Sequence, residues 1–385
     1  MKRRQFLALM GGGVVLAATG GALAFANTRT PTKALEPWSL AGGAQYSDPR
    51  LRALSFAVLA PNPHNRQPWL VELAGNDAIR IFFDIDKQLP HTDPLDRQLT
   101  IGFGCFLELL TMAANASGYR VETALFPDGS DGAGLDGRPI AFVQFFEDAT
   151  QQADPLFDFV FERRSTKEPF DTERPVQPSM LQPLLASGRN GMKLGGTVAE
   201  DEISYWRDLT ADAFTIELET PHTYKESVDL FRIGKAEIND NPDGIDLGGP
   251  LIEGLALAGL FSRESALDPT STGFQEGKRS ILENCMTGMG YVWMVSETNT
   301  REDQINAGAD WLRVNLACAQ QGIAFQPMSQ ALQEYPEMGE LYRTVHDRLA
   351  PGGGTVQMLA RIGYASPVNQ SPRWPIESKL LNGQS

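Results

Sequence analysis

The sequence predicts an α+β fold in which one unit is used twice within a single chain, as an internal pseudo-dimer. Two long apolar stretches, residues 100–117 and 303–321, read as helices and stop at Gly118 and Gly322, about 204 residues apart. The pattern ELLTMAANASGY around the first glycine matches VNLACAQQGIAF around the second, and short strand-like runs flank both. A single helix on a single sheet leaves one helix face unburied, and packing two such units together hides both. The chain of 385 residues is long enough for two domains, and 42% apolar against 21% charged residues suits a globular protein.

Residues 1–26, MKRRQFLALMGGGVVLAATGGALAFA, have the form of an export signal: basic Lys2, Arg3 and Arg4, an apolar stretch, and small residues around Ala24 and Ala26. The Arg3-Arg4 pair with a glycine-diluted core resembles a twin-arginine signal. That route carries folded proteins, mainly those loaded with a cofactor beforehand, so a bound cofactor and a periplasmic or extracytoplasmic location are expected. An uncleaved membrane anchor is the alternative, and the signal is then the only membrane contact expected. Residues 27–47, rich in Thr, Pro, Ala and Gly without periodicity, read as an extended leader, with the folded part starting near Asp48.

The first half is assigned to residues 48–155. It begins with a helix over 49–59 and a proline-broken loop, PNPHNRQP. Strands over 69–73 and 79–84 surround Gly75-Asn76-Asp77, a hairpin signal. Strands over 119–125 and 140–146 follow the apolar helix. Between them, PDGSDGAGLDG lacks the glutamate that closes an EF-hand loop and reads as a surface turn. The second half, residues 156–385, has strands over 291–297, 324–327 and 355–362, and carries an insertion at 172–288 with several polar helices. The insertion is either a lid or a surface excursion.

Several chemistries lack residues. Cys105, Cys285 and Cys318 are far apart and without CxxC, so they read as packing residues. Four scattered histidines show no HExxH or HxH spacing, and no metal site is expected. There is no GxSxG, P-loop or GxGxxG after a strand. Forty-eight acidic against 33 basic side chains, net charge -15, argue against a nucleic-acid partner.

Two strings stand out. Arg163-Arg164-Ser165-Thr166-Lys167 places Arg163, Ser165 and Lys167 on alternate positions of an extended segment, so two cations and a hydroxyl share one face and suit a phosphate. In Pro61-Asn62-Pro63-His64-Asn65-Arg66-Gln67-Pro68-Trp69 the prolines stiffen a loop, while Asn62, Asn65 and Gln67 offer amides to the edge of a planar heterocycle. Trp69 opens a strand and reads as core.

Together, RRSTK and PNPHNRQPW resemble the two signature segments of the nitroreductase family of FMN-binding oxidoreductases. With IAFQPMS and the closing ARIGYASPVNQSPRWPIES, the order is most similar to the Acg-like branch, in which two nitroreductase-like halves are fused. The resemblance implies that Arg163, Ser165 and Lys167 contact the phosphate, ribityl chain and pyrimidine edge of FMN. It implies too that Pro61, Asn62, Pro63, Asn65 and Gln67 approach the ring from the other half. Arg373 matches the late arginine that completes the phosphate site, and Met328 and Ser329 fall where the family places backbone near the reactive flavin nitrogen. Asn62 and Pro63 replace the two serines usual in the loop. The second half has no Gln-Pro-Trp loop and the first no Arg-x-Ser-x-Lys, which implies one FMN per chain.

The implied function is hydride transfer through FMN from a small-molecule donor to a small acceptor such as a nitroaromatic or quinone, with no catalytic side-chain nucleophile. A flavin-storage protein with a permanent lid is the alternative. With the dimer internal, a monomer is expected.

Overall fold

A computed structural model describes residues 28–381; the export-signal reading falls on residues outside these. The first segment corrects the leader expectation. Thr32–Leu40 forms helix α1, and Ala34 and Trp38 are buried, with Trp38 Nε1 donating to Ser371 O at 2.8 Å. The leader is thus part of the folded body, and packing overrides the low helix propensity that Pro37 brings.

The first half runs through α2 (Pro49–Ala57), β1 (Trp69–Ala74), β2 (Ala78–Phe83), α3 (Arg97–Ala116), β3 (Tyr119–Leu125) and β4 (Pro139–Glu147). Asp48 caps α2 by accepting from Arg50 N, and Pro49 fills the first position, where no N–H is needed. The second half begins with α4 (Pro178–Leu185) and β5 (Lys193–Thr197). There follow α5 (Glu200–Glu219), α6 (Pro221–Asp229), β6 (Phe231–Ile233), α7 (Gly234–Asp240), β7 (Ile245–Leu247), α8 (Pro250–Leu257), α9 (Arg263–Leu267) and α10 (Thr272–Cys285). It ends with β8 (Tyr291–Ser296), α11 (Arg301–Gln320), β9 (Ala324–Pro327), α12 (Gly339–Leu349) and β10 (Thr355–Gly363).

The two four-stranded sheets have orders β1-β2-β4-β3 and β5-β8-β10-β9, antiparallel throughout. The duplication is therefore visible strand by strand. Because β5 completes the second sheet, the 172–288 insertion is narrower than its sequence limits: residues up to Thr197 belong to the repeated unit. The parallel pair β6-β7 inside the insertion had no sequence signal.

Helices α3 and α11 cross at the centre, within one hydrophobic core that takes residues from both halves. Both end as the sequence indicates, at glycines with positive φ, +79° at Gly118 and +65° at Gly322. At the crossing, a Cβ added to Gly104 would lie 2.0 Å from Ile305 O, and one added to Gly308 would lie 1.9 Å from Ile101 O. These contacts are reciprocal, and only glycine permits them. Cys105 donates from Sγ to Gly308 O at 3.1 Å, and all three cysteines are buried. The acidic turn 127–137 is tied to Arg138 through Asp131 and Asp136.

After β10, the chain leaves the second half and runs along the first. Arg373 N donates to Ala34 O at 2.8 Å and Leu381 N to Val71 O at 2.8 Å. This arm carries Arg373 to the loop that follows α2.

Candidate functional site between the halves

The site is assembled around the carbonyl of Leu59. Arg163 Nη2 donates to it at 3.0 Å and Arg373 Nη2 at 3.2 Å. Arg373 also donates to Ala60 O at 3.2 Å and Asn65 Oδ1 at 2.6 Å, while its Nε, though buried, has no partner among the described residues. The two guanidinium groups are 4% and 2% exposed, and no carboxylate forms an ion pair with either among the described residues. Burial pulls Arg163 down to about 10 and Arg373 to about 9, and Arg163 adds like-charge repulsion to Arg373. The Asp246 carboxylate of the insertion acts on Arg373 without forming an ion pair, and two cations taken out of water with only that compensation are costly, so the arrangement favours an anion.

The RRSTK segment is pinned to β9 by Thr166 N donating to Phe325 O at 2.8 Å. Lys167 is exposed, and its ammonium makes no hydrogen bond or ion pair among the described residues; nor does the Ser165 hydroxyl make a hydrogen bond. The charge of Lys167 acts on His64 of the loop and on Glu217 and Asp246 of the insertion. It is therefore a cation at which the loop and the insertion meet.

The PNPHNRQP loop packs on α3 because Gly102 has no side chain: a Cβ there would lie 3.1 Å from Asn62 Cβ and 3.3 Å from Pro63 Cδ. His64, Asn65 and Gln67 adopt positive φ of 49°, 51° and 48°, a left-handed conformation that costs on the order of 1 kcal/mol per residue. Asn62 Oδ1 accepts from Gln67 N at 2.7 Å and closes the turn; Pro61 is half-buried at its start. Burial lowers the His64 imidazole to about 4, with Lys167 and Arg66 adding to the effect, and its Nε2 lies 3.1 Å from Ser227 Oγ of the insertion. His64 is neutral near neutral pH.

Asn65 and Gln67 differ from the sequence expectation. Asn65 spends Oδ1 on Arg373 and Nδ2 on Pro372 O at 3.1 Å. Gln67 is fully buried, its Nε2 donating to Pro242 O at 2.6 Å and its Oε1 accepting from Trp374 N at 2.8 Å. Neither amide is left for the edge of a ring. They hold Arg373 and the insertion in place, through partners too distant in sequence to foresee. Met328 is 1% exposed and its N donates to Leu359 O at 2.8 Å, whereas Ser329 Oγ donates to Gln98 Oε1 at 3.1 Å, one helical turn from Gly102. Ser329 thus lies along the same face of α3 as Asn62.

The insertion lies across this loop. Besides the contacts of Pro242 and Ser227, Asp243 pairs with Lys87 and with Arg232 at 2.8 Å, and Glu226 accepts from His91 N at 3.0 Å and Thr92 N at 2.9 Å. Sequence reasoning did not single out His64 or Glu217; both sit in segments of ordinary composition.

The corresponding region of the second half is charged the other way. The turn between α4 and β5 wraps the Asp310 carboxylate, which accepts from Arg189 N at 2.7 Å and Asn190 N at 3.0 Å. Arg313 is neutralised by Glu108 at 2.7 Å and Asp154 at 2.8 Å. No uncompensated pair of cations forms there among the described residues.

No family model matches the chain. A Mycobacterium tuberculosis protein named "Putative NAD(P)H nitroreductase Rv3131" is 25% identical over 336 residues, 86% of this chain and 88% of that one. The chain is similar to this protein over most of both lengths. A second M. tuberculosis protein, named "Putative NAD(P)H nitroreductase acg", is 28% identical over 182 residues, 46% of this chain and 49% of that one. The crystal structure of the FMN-dependent nitroreductase NfnB from Mycobacterium smegmatis aligns with 15% identity and a TM-score of 0.36, covering 57% of this chain and 94% of that one.

Proposed function

We propose that this protein is an FMN-dependent oxidoreductase of nitroreductase type, which passes hydride from a small donor to a small acceptor such as a nitroaromatic or quinone. The observation that carries this reading is the pair of buried arginines, Arg163 and Arg373, converging on Leu59 O with no carboxylate ion pair among the described residues. An anionic phosphate supplies the missing counter-charge, and Arg373 Nε has a donor to spare.

FMN, when bound, supplies the hydride chemistry itself. The chain's part is to bind and orient. Arg163 and Arg373 hold the phosphate end, Ser165 offers a hydroxyl, and Lys167 places a positive charge that favours an anionic reduced cofactor. Asn65 and Gln67 fix Arg373, and Ser227 fixes the neutral His64. The insertion keeps bulk water from the loop.

The asymmetry between the halves supports one FMN per chain: two buried cations without an ion-pair partner among the described residues on one side, Asp310 and a neutralised Arg313 on the other. A second reading, flavin storage, draws on the same insertion, since its bonds to Gln67, Asn65 and Lys87 hold it closed over the loop. Export by the twin-arginine route to the periplasm, as a monomer, completes the proposal, and fractionation of the host tests it.

Protein purified from its host should be yellow, release FMN on denaturation, and contain about one flavin per chain. Arg163→Ala combined with Lys167→Ala should be colourless. A double variant that keeps its flavin overturns the assignment. Anaerobic reduction followed by a quinone separates turnover from storage, since a stored flavin stays reduced.

A further inference from the structure

Helix α8 of the insertion has its polarity reversed. A helix on the surface of a soluble protein turns its apolar side inward and its charges outward. In α8, PLIEGLAL, Glu253 is the one charged residue and the one buried residue. Its carboxylate accepts from Arg29 Nη1 at 3.1 Å and from Lys235 N at 2.8 Å. Gly234 makes room for it, since a Cβ there would lie 2.8 Å from Glu253 Cγ. The leucines face the other way. Leu251, Leu257 and Leu260 are 37%, 77% and 52% exposed, and Ala258 and Gly259 between them are exposed too. Single exposed leucines are ordinary, but three within ten residues form a patch.

The described part of the chain begins on this helix. Besides the ion pair of Arg29 with Glu253, Lys235 Nζ donates to Thr28 O at 3.0 Å, and Ala34 N of α1 donates to Asn239 Oδ1 of α7 at 3.0 Å. The uncharged apolar stretch 6–25 ends three residues before Thr28, so it joins the folded body at α8. Size decides what covers the leucines. Twenty residues in helical form reach about 30 Å, the thickness of the hydrocarbon of a bilayer, whereas the eight residues of α8 reach about 12 Å. Folded back on α8, the stretch would leave more than half of its length in water, and a second copy docked on α8 would leave both stretches there. A bilayer takes the stretch and the leucines together. Lys2, Arg3 and Arg4 favour the cytoplasmic side for the start of the stretch, which puts α8 at the opposite membrane face.

We propose that, in the chain that retains residues 1–27, the leucine face of α8 lies in the interface of a lipid bilayer, beside the point where residues 6–25 enter it. Eight residues are too few to span, so the contact is interfacial. It is a membrane contact in addition to the apolar stretch, and it depends on no cofactor. The insertion then touches the PNPHNRQP loop through Pro242 and Ser227 and lipid through α8.

The three native cysteines are buried, so Leu257→Cys in the full chain takes a thiol-reactive, polarity-sensitive fluorophore at one site. Glu122→Cys, exposed on the edge strand β3, is the control. Each labelled full chain is placed in phosphatidylcholine vesicles, with and without bromine on the acyl chains. The label at position 257 should emit at shorter wavelength than the control and lose most of its intensity to the brominated lipid, while the control keeps its own. Unlabelled wild type should be cut within 250–262 more slowly in vesicles than in detergent, and Leu257→Asp combined with Leu260→Asp should lose that protection. A label at position 257 that stays as wet as the control overturns the proposal. So does one that is shielded yet insensitive to bromine, which would mean that residues 6–25 or a second copy cover α8.

Discussion

Arg163 and Arg373, 210 residues apart in the sequence, donate to one carbonyl oxygen, that of Leu59, at 3.0 and 3.2 Å. Each arrives by a crossing of the chain between its halves, and neither forms an ion pair with a carboxylate among the described residues. Such a pair stores an unfavourable charge that a bound anion relieves. Arg373→Met removes one cation together with its hydrogen bonds, so the two effects oppose. Flavin-free stability should change by no more than about 1 kcal/mol, while added FMN should no longer raise the melting temperature. Thermal denaturation with and without FMN reads both, and a variant stabilised by FMN as fully as wild type contradicts the assignment.

Gln67 is predicted to matter for stability rather than for ring contacts. Truncation to Ala leaves Trp374 N and Pro242 O unpaired in a buried place, at a cost of roughly 2–4 kcal/mol. Because Pro242 belongs to the insertion, proteolysis within 200–288 should speed up as well. Urea denaturation and limited proteolysis check the two consequences. Unchanged stability would mean that the clamp is not what holds the insertion.

The crossing of α3 and α11 makes a sharper demand. Gly104→Ala puts a methyl group 2.0 Å from the Ile305 carbonyl oxygen, and backbone cannot step aside as a side chain can. Gly308→Ala does the same to Ile101. Each substitution should destabilise by about 3 kcal/mol or more, or prevent folding. Gly277→Ala, on α10 with nothing near its Cβ position, should be tolerated and serves as the control. Chemical denaturation distinguishes them.

Most of the fold was legible because its signals are local. The apolar runs, the stops at Gly118 and Gly322, and the hairpin at Gly75 all concern neighbours in sequence, and the observed limits of α3 and α11 lie within three residues of those expected. Helix α1 was not legible, since Pro37 argues against a helix that burial of Trp38 stabilises. In the site, Arg163 and Arg373 could be read as cations, but their meeting at Leu59 depends on the C-terminal arm. Asn65 and Gln67 were assigned to a ring edge because an amide's partners cannot be read from its own segment; theirs are Pro242, Pro372 and Trp374. Glu217 sits in an acidic helix where nothing marks it from Glu219.

Glu217 also makes a prediction about stability that is independent of any cofactor. Burial raises its carboxyl to about 7 in the folded chain, against the ordinary glutamate value near 4.5 once unfolded. Between these two values the unfolded state has lost the proton and the folded state keeps it, so the unfolded state binds fewer protons and stability falls as pH rises. Below about 4.5 both states are protonated, and above about 7 both are ionised, so the contribution is flat at either end. Relative to Glu217→Gln, which cannot ionise, the wild type should lose on the order of 1–3 kcal/mol between pH 4.5 and 7 and change little beyond. Urea denaturation of both proteins across this range measures the difference directly. A difference that grew in favour of the wild type with rising pH would show that Glu217 is held as a stabilised carboxylate, paired with Lys167, and not as a buried acid.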